Sequence, residues 1–277
     1  MKHTSYSNYK EFKTDVLTHL GNMNPKPWGV FRGNGKAYPH IAYIPSDKTQ
    51  EDVIKSILVK DNVEPDLFSK PHRYAHHLNS SQVVCYEFFR PMIGSNRIVL
   101  PKLVNALMAM GIPGQEFISA LADFEWTPYP EENTNFDFYI IQKQSDAKVY
   151  FEIKYTEQGF GCCPNDEQHQ AKFENIYQDM ISNCACLSRI PVFDEDWRKN
   201  YQLFRNVLRV TKDNWENEYV VFLFPKENHI ARRQFESFKE KYIKDEFKKH
   251  VKGIFWEQMT DFMSKEFRTK FFFHTLD

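Results

Sequence analysis

Asn135-Phe-Asp-Phe-Tyr-Ile140, and after it Tyr150-Phe-Glu-Ile-Lys-Tyr-Thr-Glu157, are the two runs whose reading decides the fold. Both are aromatic and aliphatic, as buried strands are, yet each carries charge. Side chains alternate along a strand, so Glu152 and Lys154 project from one face while Phe151, Ile153 and Tyr155 project from the other. Asp137 precedes Glu152 by fifteen positions. That gap accommodates a strand, a turn of about five residues and a return to the same end of the hairpin, where three polar heads converge. Two neighbouring carboxylates repel each other unless a divalent cation lies between them, and hard oxygen ligands with room for water suit Mg²⁺ or Mn²⁺. A lysine beside them orients water or stabilises a pentavalent phosphorane, which is the apparatus of phosphodiester hydrolysis. The plainer reading is a salt-bridge row on a solvated strand face. Charges set among Phe136, Phe138, Phe151 and Ile153 need a local reason, because an unpaired charge near a core is costly.

Working outward, Ala122 to Thr127, Asn135 to Gln142 and Lys148 to Thr156 read as an antiparallel meander with turns at 128–134 and 143–147. Upstream, Ser80 or Ser81 caps a helix running to Arg90, Pro91 and Gly94 break it, and Lys102 to Met110 forms another before Gly111. Downstream, Glu167 to Cys184 and Trp197 to Val210 read as helices, Glu218 to Phe224 as a buried strand and His229 to Lys249 as an amphipathic helix. Gly253 to Trp256 adds a short strand and Glu257 to Phe267 a closing helix. Tyr9 to Leu20 is helical, with Phe12, Val16 and Leu20 at helical spacing and Gly21 as its stop. Asn22 to Ser46 holds Pro25, Pro27, Gly29, Gly33, Gly35, Pro39 and Pro45 and reads as loop, before a helix at Glu51 to Lys60. The expected fold class is α/β, a mixed sheet flanked by helices, with 1–78 an N-terminal helical and loop elaboration and 79–277 the main domain.

The residues at this point resemble the PD-(D/E)XK nuclease superfamily. Its restriction-endonuclease-like core runs helix, three strands, helix, strand, with Asp on the second strand and Glu-x-Lys on the third. More narrowly, Ser80-Ser-Gln82, Phe124-Glu-Trp126, Phe136-Asp-Phe138 and Phe151 to Glu157 are similar to a family of bacterial restriction-endonuclease-like proteins. Tyr201-Gln-Leu-Phe-Arg-Asn206 and the stretch ending at Asn228 match its later part, so the resemblance runs from roughly Asn79 to the C-terminus. It implies a Mg²⁺- or Mn²⁺-dependent endonuclease acting on DNA. Asp137 and Glu152 would be metal ligands, the Ile153 carbonyl a third, Glu125 a further acid, and Lys154 the group that orients water or stabilises phosphate. No Pro precedes Asp137, and Glu87 is the candidate for the acid that relatives place on the first core helix. Gln82, Glu157 and Gln202 are accessory candidates, Glu157 for polarity at the scissile site and Gln202 for capping; these last two also read as surface or helix-packing residues. A homodimer follows by analogy with enzymes that cut two strands. The alternatives are a nucleic-acid- or protein-binding module on the same fold, and a nuclease acting on RNA.

Composition sets the remaining bounds. With 277 residues, 42% hydrophobic and 26% charged, the chain is globular, and 25 Phe promise a ring-rich core. A net charge of −1 gives no global field for nucleic acid, so a local patch is needed. Arg232 to Lys249 has seven bases against four acids and reads first as a solvated helix face. No run is long and apolar enough for a membrane span, and Met1 to Thr14 lacks the apolar core of a signal peptide, so the expected location is cytoplasmic. Cys162, Cys163, Cys184 and Cys186 lack C-x₂-C spacing and read as free thiols before metal ligands. His72 and His76 are four apart on a possible helix, without a third ligand in register. Gly33-Asn-Gly35-Lys36 needs no more than a flexible turn, since the full phosphate-loop pattern is absent.

Overall fold

The computed structural model describes residues 6–24, 29–58, 71–126 and 135–271. The expected turn at 128–134, the loop prolines Pro25 and Pro27 and the expected helix end at Lys60 lie outside these residues.

The elements in chain order are α1 (Tyr9–Met23), β1 (Val30–Gly33), β2 (Lys36–Ala42), α2 (Gln50–Ile57), α3 (Ser81–Phe89), α4 (Pro101–Ala109), β3 (Leu121–Trp126), β4 (Phe136–Gln142) and β5 (Ala147–Ile153). After these come α5 (Glu167–Lys172), α6 (Gln178–Asn183), α7 (Glu195–Lys199), α8 (Tyr201–Val207), β6 (Glu218–Phe224), α9 (His229–Tyr242), β7 (Val251–Phe255) and α10 (Lys265–Phe271). Five strands form one sheet in the order β3-β4-β5-β6-β7. The first three are antiparallel, whereas β5, β6 and β7 run parallel, joined through α5 to α8 and then through α9. Crossovers of this kind put helices over both faces, so β6 reads as an unbroken apolar run, Glu218 apart, and is buried along its whole length.

Each face of the sheet has its own core. One gathers Phe138, Ile140, Val149, Phe151 and Ile153 with α1, α2, α3, α4 and α10. The other gathers Phe136, Tyr150, Val220 and Phe222 with Tyr177, Trp197, Phe204, Phe235 and Phe238. The fold is thus a mixed α/β sandwich with the expected order of helix, three strands, helices and strand. Phe12, Val16 and Leu20 of α1 and Val53, Ile54 and Ile57 of α2 lie in the same core as Val83 and Phe89 of α3, so the chain on both sides of residue 79 shares one packed interior.

Several elements depart from the sequence expectations for identifiable reasons. Helix α1 does not stop at Gly21 but continues to Met23. A Cβ on Gly21 would lie 2.6 Å from the Cβ of Pro39, so the glycine serves close packing against β2. The expected loop at 22–46 contains the β1–β2 hairpin, turning on Asn34 and Gly35 with φ of 49° and 72°. Two successive positive φ values are the type I′ geometry that Asn-Gly favours. The helix expected over Glu167 to Cys184 contains a turn of π-helix at Phe173–Tyr177, and the one over Trp197 to Val210 breaks at Asn200. Helix α9 ends at Tyr242, not Lys249, and the closing helix is a 3₁₀ stretch at Trp256–Phe262 followed by α10. Ser80 occupies the N-cap of α3 but makes no side-chain cap hydrogen bond. His72 and His76 lie in turns, not on a helix. No described helix is long and apolar enough to cross a membrane.

Candidate active site

The site is built by register. Phe124 faces Phe138 across β3–β4, and Phe138 faces Phe151 across β4–β5. Continuing both ladders by one residue sets Glu125 beside Asp137 and Asp137 beside Glu152, a row of three acids across three strands. The row lies at the carboxyl ends of the parallel strands, where α/β sheets open a crevice. The ladder loosens here. Glu125 has φ +55°, rare for a residue with a Cβ, and Phe136 joins the second core although Phe138 joins the first. The strand therefore rolls at Asp137, so Phe136 and Phe138 do not share a face.

Each acid is held by identifiable donors. The backbone N–H of Ile153 donates to Asp137 Oδ2 at 2.6 Å. Glu152 Oε1 accepts from Lys154 Nζ at 2.8 Å and from Gln202 Nε2 at 2.7 Å, and Oε2 accepts from Asn206 Nδ2 at 3.0 Å. Gln202 is itself oriented by the Gly161 N–H, which donates to its Oε1 at 2.8 Å. Glu125 accepts from Asn135 Nδ2 at 3.2 Å and from the Gln82 side chain. Glu152 and Lys154 are only 3% and 8% exposed, whereas Asp137 and Glu125 reach further toward the surface. The charges thus form a slope, with the Glu152–Lys154 pair at its base and Glu125 at its rim.

Electrostatics follow from that burial. Desolvation pushes the Asp137 carboxyl well above the usual carboxylate range, and Glu152 and Glu125 add to it against the opposing pull of Lys154 and the Ile153 N–H. Glu125 is raised too, first by burial and then by Glu152, although the hydrogen bonds from Gln82 and Asn135 oppose this. Burial alone would lower Lys154, but the charges of Glu152, Glu157 and Asp137 overcome it and hold the ammonium protonated. The row therefore cannot hold all three acids ionised beside one lysine without a cost, which a proton or a cation relieves.

Among the described residues no three His, Cys, Asp or Glu side chains converge on a metal position. Two carboxylates and a backbone carbonyl are a different donor set, and Mg²⁺ binds through one or two carboxylates while keeping several waters. Asp137, Glu152 and the Ile153 carbonyl would make up such a set. A carboxylate offers about four acceptor positions and Glu152 has three donors, which leaves room for one more partner. A bound cation would take the place of the protons that this crowding of acids favours.

The other sequence candidates divide. Gln82 and Gln202 hold Glu125 and Glu152, so neither is a plain capping or surface residue. Glu157 Oε2 accepts from the Tyr155 N–H at 2.6 Å, and its charge acts on Lys154 from beyond the strand end. Glu87 is not brought to the acid row; it forms a buried ion pair with Lys270, which ties α3 to α10. The residue that sequence reasoning missed is Asn206, fully buried and bonded to Glu152. Its signal was present: Gln202 and Asn206 are four apart, hence on one face of a helix whose neighbours Leu203, Phe204 and Val207 are core.

Elsewhere, among the described residues, three of the seven bases between Arg232 and Lys249 pair with acids: Lys241 with Asp196, Arg232 with Glu236, and Lys248 with Glu240 and Asp245. The Cys184 and Cys186 sulfurs lie 3.3 Å apart, buried, both directed at the Val207 carbonyl, while Cys162 is exposed.

No curated protein and no solved structure matches the chain. A family model described as restriction endonuclease associating with ARP matches residues 35–272, so the match begins on the β1–β2 hairpin and takes in every element from β2 to α10. The chain belongs to this restriction-endonuclease-like family.

Proposed function

We propose that the protein is a metal-dependent phosphodiester hydrolase that cuts DNA at the acid row of β3, β4 and β5. The observation that carries this reading is the acid row itself, three carboxyl groups crowded beside one charged lysine, which makes Asp137 and Glu125 take up a proton or a cation more readily than a free carboxyl does. Membership in a restriction-endonuclease family supports a nuclease with DNA as substrate.

In this reading Asp137, Glu152 and the Ile153 carbonyl hold Mg²⁺ or Mn²⁺, with Glu125 available on the rim. When bound, the ion supplies an acidified water and neutralises phosphate charge. Lys154 stays protonated and presents its ammonium to the non-bridging oxygens as the phosphorane forms. Gln202 and Asn206 fix the Glu152 carboxylate, so its orientation is set before substrate arrives. Glu157 helps to keep Lys154 charged. A homodimer would supply two such sites for two strands, and the association with ARP named in the family's description belongs to the same reading.

The test is cleavage of plasmid DNA with about 10 mM Mg²⁺ or Mn²⁺ against EDTA. Ion-dependent cutting by the native chain, abolished in Glu152→Ala and Lys154→Ala, is expected. Cutting that survives in either variant, or that proceeds in EDTA, refutes it.

A further inference from the structure

The β1–β2 hairpin and the turn at 71–78 form one surface. The Leu78 N–H donates to the His40 carbonyl at 2.9 Å, and Ile41 and His77 form a β-bridge. An uninterrupted line of rings crosses it. Phe31 meets Tyr38 at 6.0 Å between centroids, Tyr38 meets His40 at 6.4 Å, and His40 adjoins His77. His77 meets Tyr74 at 5.2 Å, and Tyr74 meets His72 at 5.5 Å. The line ends at the acid row: the His72 N–H donates to Gln82 Oε1 at 2.8 Å, and the same Gln82 side chain holds Glu125.

Several of these rings face outward. Phe31 is 40% exposed, Tyr74 is 48% exposed, and His72 is exposed as well. Charge on the surface has one sign. Residues 29–46 and 71–86 contain no Asp or Glu, while Arg32, Lys36 and Arg73 are exposed. None of these three cations has an acidic partner within ion-pair distance among the described residues. Burial lowers His40, His76 and His77, so at neutral pH the positive charge rests on the arginines and the lysine.

We propose that this hairpin-and-turn surface binds an unpaired stretch of the DNA strand leading into the acid row, with Phe31 and Tyr74 stacking on bases and Arg32, Lys36 and Arg73 contacting phosphates. Open rings interleaved with cations that have no acidic partner are what single-stranded nucleic acid requires, since every base has a face to stack and every link has a charge; the Arg73 guanidinium already lies 5.4 Å over the Tyr74 ring. A paired duplex hides its base faces, so it would leave those rings unused. The inference rests on the nuclease reading for its substrate, and Gln82 supplies the physical continuity from one surface to the other.

The test is fluorescence anisotropy with a labelled oligothymidylate of about 20 nucleotides and a duplex of equal length, both in EDTA, with cleavage of plasmid assayed in parallel. All substitutions lie at exposed positions, and an unchanged circular dichroism spectrum checks folding. Phe31→Ala combined with Tyr74→Ala is expected to weaken single-strand binding at least about fivefold per ring. Arg32→Gln, Lys36→Gln and Arg73→Gln together are expected to lower the salt slope by about 2, from three phosphates at about 0.7 each. Variants that bind within about twofold of the native chain, or that lose only duplex binding, overturn the proposal even where the native chain still cuts DNA. Loss of single-strand binding as expected, with no cutting by the native chain, upholds this surface and refutes the nuclease reading.

Discussion

Replacing Asp137 by Asn separates the folding cost of the acid row from its use. The amide keeps the shape of the carboxyl and an oxygen to accept the Ile153 N–H, whose bond is 2.6 Å in the native chain. Trading a charge-assisted bond for a neutral one costs about 1 kcal/mol. Against this, the substitution removes a buried charge that desolvation and the repulsion of Glu152 and Glu125 all disfavour. Without divalent cation, Asp137→Asn should therefore be at least as stable as the native protein. The pH dependence has a definite sign. A carboxyl raised in the folded state contributes stability below its unfolded pKa and loses it as pH rises through the folded pKa, so the native chain weakens toward neutral pH and the variant weakens less. Cation reverses the ranking. At ten times its dissociation constant an ion adds about 1.4 kcal/mol. With an unfolding entropy of about 2.1 cal/mol/K for each of 277 residues, that is a rise of about 2 to 3 °C in Tm. Thermal unfolding with Mn²⁺ or EDTA reads both arms. A variant more than about 2 kcal/mol less stable in EDTA, or one that Mn²⁺ stabilises as much as the native chain, refutes the reasoning.

Three further outcomes are expected. Asn206→Ala withdraws a donor from the buried Glu152 carboxylate and should cost about 2 to 3 kcal/mol in urea denaturation, with slower cleavage; no change in either would show that the bond does not hold the carboxylate. Gly21→Ala should destabilise by about 1 to 3 kcal/mol despite its better helix propensity, because the new Cβ meets Pro39 at 2.6 Å, and a more stable variant would contradict this. Burial, then His76, His40 and His72, lower His77 from 6.5 to about 4. Stability held by the neutral ring is lost as pH falls through that window, about 1 to 2 kcal/mol after solvent screening, and a His77→Gln variant should show a flatter Tm profile between pH 7 and 4.

The sheet was legible because its strands are long, apolar and separated by plain turns. β6 runs over the residues its composition marks, and Asp137, Glu152 and Lys154 stand out because charge interrupts strands of Phe and Ile. The β1–β2 hairpin was hidden by its own punctuation: Pro39 and three glycines suggest loop, although Asn34-Gly35 is a hairpin turn. Gly21 reads as a stop in one dimension and as a contact in three. Asn206 escaped because its importance comes from which carboxylate it meets, and that is set by packing between elements far apart in the chain. Glu87 failed as a site acid for the same reason, since Lys270 reaches it from α10.

A crystal soaked in Mn²⁺ and measured at the manganese absorption edge addresses the central claim most directly. An anomalous peak bridging the carboxylates of Asp137 and Glu152 is the predicted result. Saturating Mn²⁺ with those two carboxylates bare, their only partners the Ile153 N–H, Lys154, Gln202 and Asn206, would contradict it.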